Sequence, residues 1–295
     1  MRSTDSGDSP APEQVVHFRI LDQRVRIKCR DLELGKVLLD NFGAMAGTPE
    51  VGSSWDLGFE VRGKAGAYSV LRSGHTPQDA RDFSDLLFVL EKDLIVEVQK
   101  RRPDRLFLHA AALDWKGRAC LLAGDTGSGK SLVTWALLHN GFAYLSDELS
   151  PVDLDSLHVA PYPHALCLKQ QPPPSHPLPG QAIHLGRTIH IPVAFLPAPA
   201  IPEPRPLGAV FFLHYGPELR EPDLRAIGPA EAGARLYLNV LNALSHPDRG
   251  LDAVLRIARQ VPAYTIASAG LDATCALIRD TMENACSQQP GKHRP

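Results

Sequence analysis

The chain of 295 residues has no apolar run approaching the roughly 18–20 residues that a membrane-spanning helix requires. Residues 1–13 are polar and proline-rich and lack the apolar centre of a secretory signal. The five cysteines, at positions 29, 120, 167, 275 and 286, are odd in number, scattered and without C-x-x-C spacing. That pattern argues against a disulfide framework and against a cysteine-based zinc site. Cys120 reads most simply as a small buried apolar residue. A net charge of −2 gives no electrostatic case for nucleic acid or an anionic membrane as partner. No internal repeat is visible. What remains is an ordinary globular composition, 44% apolar and 22% charged, with the cytoplasm as the expected location.

The chain divides into four stretches. Residues 1–13 are expected to be a disordered tail. Residues 14–103 read as a small α+β module with a linking helix. Segments 15–20 and 24–29 alternate like strands across a tight turn, 31–41 suits a short helix, and 55–62 with 67–72 suggest a second hairpin. Thr76 and Pro77 are expected to cap and open a long helix, whose apolar face is Leu86, Leu87, Leu90, Leu94 and Val98, and Pro103 ends it. Residues 104–287 form the larger α/β domain. Its expected strands are 107–113, 118–123, 142–146, 209–214 and 263–267, with helices at 131–140, 229–244, 247–259 and 271–286. Residues 288–295 are a polar tail. Thirteen of the 26 prolines lie within 161–206, so this stretch is expected to be partly irregular, interrupted by strand-like alternation over 184–191. Long loops of this kind often sit beside active sites.

Gly124-Asp125-Thr126-Gly127-Ser128-Gly129-Lys130-Ser131 matches the phosphate-loop pattern G-x-x-x-x-G-K-[ST] at every fixed position. Glycine lets successive backbone N–H groups close on a polyphosphate without a Cβ in the way. Lys130 supplies a point charge for β- and γ-phosphates, and the Ser131 hydroxyl can ligate Mg²⁺. A helix opening at this point adds its positive end. The short apolar run 118–123 before the loop and the helical pattern after it, stopped by Gly141, are the context the motif requires.

Tyr144-Leu145-Ser146-Asp147-Glu148 follows at once, with Asp147 only 17 residues beyond Lys130. An apolar run ending in two carboxylates suits a Walker-B-type strand end, with acids for Mg²⁺ and for a nucleophile. In most phosphate-loop ATPases and GTPases that element comes much later. An LSGGQ-like signature and an N-K-x-D motif are both absent, which excludes transporter-type ATPases and standard GTPases.

The early acids, the loop, and the flanking Leu108-His109-Ala110-Ala111 and Gly141-Phe142-Ala143 together resemble the catalytic domain of HPr serine kinase/phosphorylase and its HPr kinase-like relatives. Cys167-Leu168-Lys169, Leu207 to Leu213, and Pro262-Ala263-Tyr264 are softer matches, so the resemblance covers roughly residues 105–285. It implies an α/β, phosphate-loop kinase domain of the phosphoenolpyruvate-carboxykinase-like kind. It also implies ATP, with GTP left open, and Mg²⁺ as cofactors. Residue by residue, it implies a catalytic Asp147 near the acceptor hydroxyl and the metal, and a His109 close to the transfer centre. It further implies Ser131, Asp147 and Glu148 around Mg²⁺. Lys169 is balanced between a phosphate contact and an exposed strand-end lysine.

The bifunctional enzymes carry a further acidic Mg²⁺ residue in a glycine-containing strand–loop segment. Here the proline-rich stretch takes its place. The resemblance is therefore closer to relatives without that segment, which include kinases that phosphorylate a serine on a ribosomal peptide precursor. The expected partner is a peptide or small protein bearing a serine hydroxyl, with a homo-oligomer left open. Two alternatives stand beside this: a kinase for a free amino acid or sugar, and a non-catalytic nucleotide-responsive binding protein.

Overall fold

Residues 13–48, 54–64, 67–216 and 218–287 are described by the structure, a computed structural model. Apart from Glu13, the expected tails lie outside the described residues. Among the described residues no helix is long and apolar enough to cross a membrane.

In the N-terminal part, strands β1 (Gln14–Ile20) and β2 (Gln23–Cys29) pair as a hairpin. Helix α1 (Leu32–Phe42) follows, capped by the Asp31 carboxylate, which accepts from the N–H groups of Glu33 and Leu34. Strand β3 (Leu57–Lys64) lies parallel to β2, so α1 is the crossover between them. Strands β4 (Ala67–Arg72) and β5 (Gln78–Ala80) complete a five-stranded sheet in sequence order. The long helix α2 (Phe83–Arg101) then packs Leu86, Leu87, Leu90, Leu94 and Val98 into the same core.

Here the expected helix start is corrected. Residues 78–80 are claimed by pairing with β4, so Thr76 and Pro77 precede an edge strand, and Asp82 caps the helix by accepting from the Asp85 N–H.

The larger sheet is built around β8 (Arg118–Ala123). Its alternate residues serve two cores: Cys120 and Leu122 face one side, Ala119, Leu121 and Ala123 the other. Strand β15 (Arg205–Tyr215) does the same, with Ala209, Phe211 and Leu213 opposite Val210 and Phe212. A sheet apolar on both faces needs helices on both. Helices α3 (Lys130–His139) and α6 (Leu271–Ser287) cover one face; α4 (Pro229–Tyr237) and α5 (Leu251–Gln260) cover the other. Cys120 is fully buried, and burial pushes its thiol up to about 12, as a small apolar residue would behave.

The remaining strands are β6 (Arg105–Leu108), β7 (Ala110–Trp115), β9 (Ala143–Ser146), β10 (Ser150–Asp153), β11 (His158–Val159), β16 (Asp223–Ile227) and β17 (Ala263–Ser268). The sheet order is β6-β10-β11-β15-β8-β7-β9, with β17 also on β15 and β16 on β17. The proline-rich stretch is more regular than expected. It holds a three-stranded sheet of β12 (Leu166–Leu168), β14 (Thr188–Ile191) and β13 (Ile183–Leu185).

Three further expectations are corrected. The single strand 107–113 is two strands, because the chain changes partners at His109: Leu108 pairs with Ser150, whereas Ala110 pairs with Ala123. The helix 229–244 stops at Tyr237, because the following residues satisfy the open edge of β6. The Leu241 N–H donates to the Phe107 carbonyl, and Asn242 both accepts from the Phe107 N–H and donates to the Arg105 carbonyl. The helix expected from 247 begins at Leu251, since the Asp248 carboxylate holds a turn by accepting from the N–H groups of Gly250 and Asp252.

Candidate active site

Three chain ends converge because of strand direction. β7 runs antiparallel to both β8 and β9. The C-terminal ends of β8 and β9 and the N-terminal start of β7 therefore lie at one edge of the sheet. The first carries the glycine loop, the second Asp147 and Glu148, and the third His109.

The loop leaves β8 at Gly124, whose φ is +152°. A Cβ there would lie 2.4 Å from the Leu213 carbonyl oxygen of β15, so no larger residue fits unchanged. Gly127 and Gly129 have φ of +89° and +90°, the left-handed region, and a Cβ on either would meet nothing within 4 Å. Helix α3 starts with no side-chain cap, so its first N–H groups are free to face a ligand. A cavity of about 160 Å³ lies against this end, lined by Asp125, Thr126, Gly127, Gly129, Lys130 and Ser131. His109, Glu148 and Lys169 close it from the other strands. Ser128 does not line it; its side chain is buried and close to Gly124.

Lys130 is 9% exposed and donates from Nζ to the Gly124 carbonyl at 2.6 Å. Burial lowers its pKa, opposed chiefly by Glu148 and Asp147. Asp147 is 3% exposed. Its Oδ2 accepts from the Cys167 N–H at 3.2 Å, which fixes the carboxylate against β12, and the Ser131 hydroxyl also bonds to it. Burial, with the neighbouring Glu148 charge, pushes Asp147 up to about 7. Its Oδ1 is buried without a protein partner. Glu148 is exposed at the junction of three cavities. His109 is half-buried, anchored by its N–H to the Asn239 carbonyl at 2.8 Å. Burial lowers its pKa, helped by Lys130 and Lys169 and opposed by Glu148, so the ring is neutral at pH 7.

The donor set suits a hard cation. An orphaned carboxylate oxygen, a hydroxyl and a second acid lie side by side, all oxygen ligands. Among the described residues no group of three or more His, Cys, Asp or Glu forms a metal cage. A Mg²⁺ ion held here would complete its shell with phosphate and water oxygens, its usual habit.

Beyond Asp147, on the side away from the loop, lies a second cavity of about 390 Å³. Its walls come from α2 (Glu91, Ile95), from Leu149, and from Tyr162 and His164 in the approach to β12. His109, Asp147 and Glu148 border it as well. An open groove of about 890 Å³ continues from it along the start of α2 and the β13–β14 turn. Glu91, Tyr162 and His164 escaped the sequence reading. Glu91 borders the apolar stripe of α2, four residues after Leu87, where a charge reads as the solvated flank, and Tyr162-Pro163-His164 sits in a stretch that reads as loop. The only signal was that residues 162 and 164 alternate.

No protein-family model matches the chain, and no curated protein sequence matches it. A search of solved structures matches the HPr(Ser) kinase/phosphatase from Coxiella burnetii with 12% identity over 62% of this chain and 91% of that chain, at a TM-score of 0.33.

Proposed function

We propose that the protein is an ATP-dependent hydroxyl kinase that transfers the γ-phosphoryl group to a serine on a peptide or small protein. The domain over residues 104–287 would be a phosphate-loop kinase domain of the phosphoenolpyruvate-carboxykinase-like kind. One observation carries the reading: His109 and Glu148 line both the glycine-loop cavity and a second cavity open to an external groove, and Asp147, bonded to Ser131 of the loop, lines the second. A binding module needs the first cavity, but it has no use for a buried base facing the second.

In this reading the loop N–H groups and Lys130 hold the polyphosphate. The nucleoside would lie in the cavity of about 310 Å³ beyond Gly127 and Gly129, lined by Tyr215, Ser268 and Thr274. Ser131, Asp147 and Glu148 would hold Mg²⁺, which when bound neutralises charge on the phosphates. The acceptor hydroxyl lies against Asp147, which takes its proton as the oxygen bonds to the γ-phosphorus. The bond from that phosphorus to the β,γ-bridging oxygen breaks, and ADP leaves. Burial raises this carboxylate to about 7 in the nucleotide-free protein, and a bound cation would favour its ionised, proton-accepting form. Neutral His109, at the meeting of the two cavities, orients the transferring group by hydrogen bonding. The open groove, in which Phe88 is 62% exposed, favours a chain-like acceptor over a free metabolite.

The test is phosphoryl transfer from labelled ATP with Mg²⁺ to serine-containing peptides. Asp147→Asn should abolish transfer while ATP affinity stays within a few-fold. Lys130→Ala should weaken ATP by about ten- to a hundredfold, as loss of a charge-assisted phosphate contact does. Equal loss of ATP binding in Asp147→Asn would reduce Asp147 to a metal ligand.

A further inference from the structure

The cavity beyond Asp147 contains more polar chemistry than a base requires. Three of its side chains are more than nine-tenths buried and carry a polar atom with no hydrogen-bond partner in the protein: Asp147 Oδ1, Tyr162 Oη and His164 Nε2. Asp147 belongs to the transfer chemistry. Tyr162 and His164 do not, and each such group costs about 1–3 kcal/mol if left unpaired.

Both are held rigidly. The Tyr162 N–H donates to the Leu145 carbonyl at 3.0 Å, and the Tyr144 hydroxyl donates to the His164 carbonyl at 2.8 Å. The Ala165 N–H donates to the Asn41 carbonyl at 2.9 Å, tying the segment to the end of α1. The Phe42 ring meets His164 edge-on at 4.9 Å, and the Tyr162 ring stacks at 6.1 Å. Glu91 Oε1 stands 3.3 Å from His164 Nε2 without hydrogen-bond alignment. The rest of the wall is largely apolar, from Ile95, Val96, Leu149 and Leu241, with Lys92 and Gln99 among it. At about 390 Å³ the cavity is far larger than a serine hydroxymethyl group needs.

We propose that this cavity receives a side chain neighbouring the phosphorylated serine, and that Tyr162 and His164 select an uncharged hydrogen-bonding tip on an apolar stem. The inference rests on the kinase reading above. An acidic side chain would meet Asp147 and Glu148. A cation would meet Lys92, and the two atoms left to pair with, Tyr162 Oη and His164 Nε2, are uncharged. Tyrosine and glutamine fit the description; phenylalanine has the stem without the tip.

The experiment uses the full chain with ATP, Mg²⁺ and a set of alanine-based serine peptides. Each carries Tyr, Phe, Gln, Leu, Glu or Lys at one position flanking the serine. At one such position Tyr should exceed Phe, and Gln should exceed both Glu and Lys, by about tenfold in kcat/KM, the size of one well-made hydrogen bond. Tyr162→Phe and His164→Gln should each bring Tyr and Phe peptides towards parity, with the loss falling on KM. Tyr162→Phe keeps the stacked ring, so its fold is secure and a thermal melt confirms it. Equal use of Tyr and Phe at every position, a preference for Glu or Lys, or a Tyr preference that survives both variants overturns the inference and leaves the kinase reading standing. Failure of the wild-type chain to phosphorylate any peptide overturns the kinase reading, and this inference with it.

Discussion

Replacing Asp147 by asparagine should stabilise the protein at alkaline pH, although it removes the base of the proposed transfer. The folded chain holds this carboxyl up to about 7, against an ordinary value of 3.8, because it is buried beside Glu148. An acid whose pKa rises on folding contributes its full stability below the unfolded value and loses it as pH rises through the folded one. The window is therefore pH 4 to 7, and over the whole of it the loss approaches about 4 kcal/mol. Between pH 5 and pH 8 the wild type should lose about 2–3 kcal/mol that the variant retains. Comparing the two pH values cancels the intrinsic difference between Asp and Asn. Urea unfolding of both proteins at the two pH values, without nucleotide, measures it directly. In a thermal melt the relative gain at pH 8 should be about 5 °C. Saturating Mg²⁺ and ATP should shrink the difference, since a cation beside the carboxylate favours its ionised form. If the two proteins keep the same relative stability from pH 5 to pH 8, the carboxylate is not held against its charge. The argument that burial tunes Asp147 as a base then fails.

Gly124→Ala drives a Cβ to within 2.4 Å of the Leu213 carbonyl oxygen at a φ of +152°, so unfolding free energy should fall by about 2 kcal/mol or more. Gly127→Ala meets open space and should cost only about 1–2 kcal/mol of left-handed strain; denaturant midpoints rank the pair. Asn242→Ala strips the Phe107 N–H of its buried acceptor and should cost about 2–3 kcal/mol in urea unfolding, with ATP affinity within a few-fold of wild type.

Much of the fold was legible because local signals agreed with tertiary demands. Residues 118–123 read as a buried strand and form one on both faces of the sheet; Gly141 stops α3 with a φ of +89°. Three of the four misreadings share one cause. At Pro77, at His109 and after Tyr237 the local pattern was sound, but a sheet edge elsewhere needed hydrogen-bond partners and took the segment. The short strands β10, β11, β12 and β16 left no usable trace, since two to five residues carry too little periodicity to stand out from loop.

The sequence by itself determined the glycine turn and helix start of residues 124–131, because successive glycines followed by Lys-Ser form a local arrangement that needs no distant partner. It also placed two acids at the end of the next strand. Only the tertiary structure decided what those acids face. The antiparallel β7 sets His109 between them and the loop, β12 clamps Asp147 through a backbone N–H, and α2 closes a second cavity with Glu91 opposite Tyr162 and His164. Burial, which raises Asp147 to about 7, is a sum over segments distant in the chain, and no local pattern encodes it.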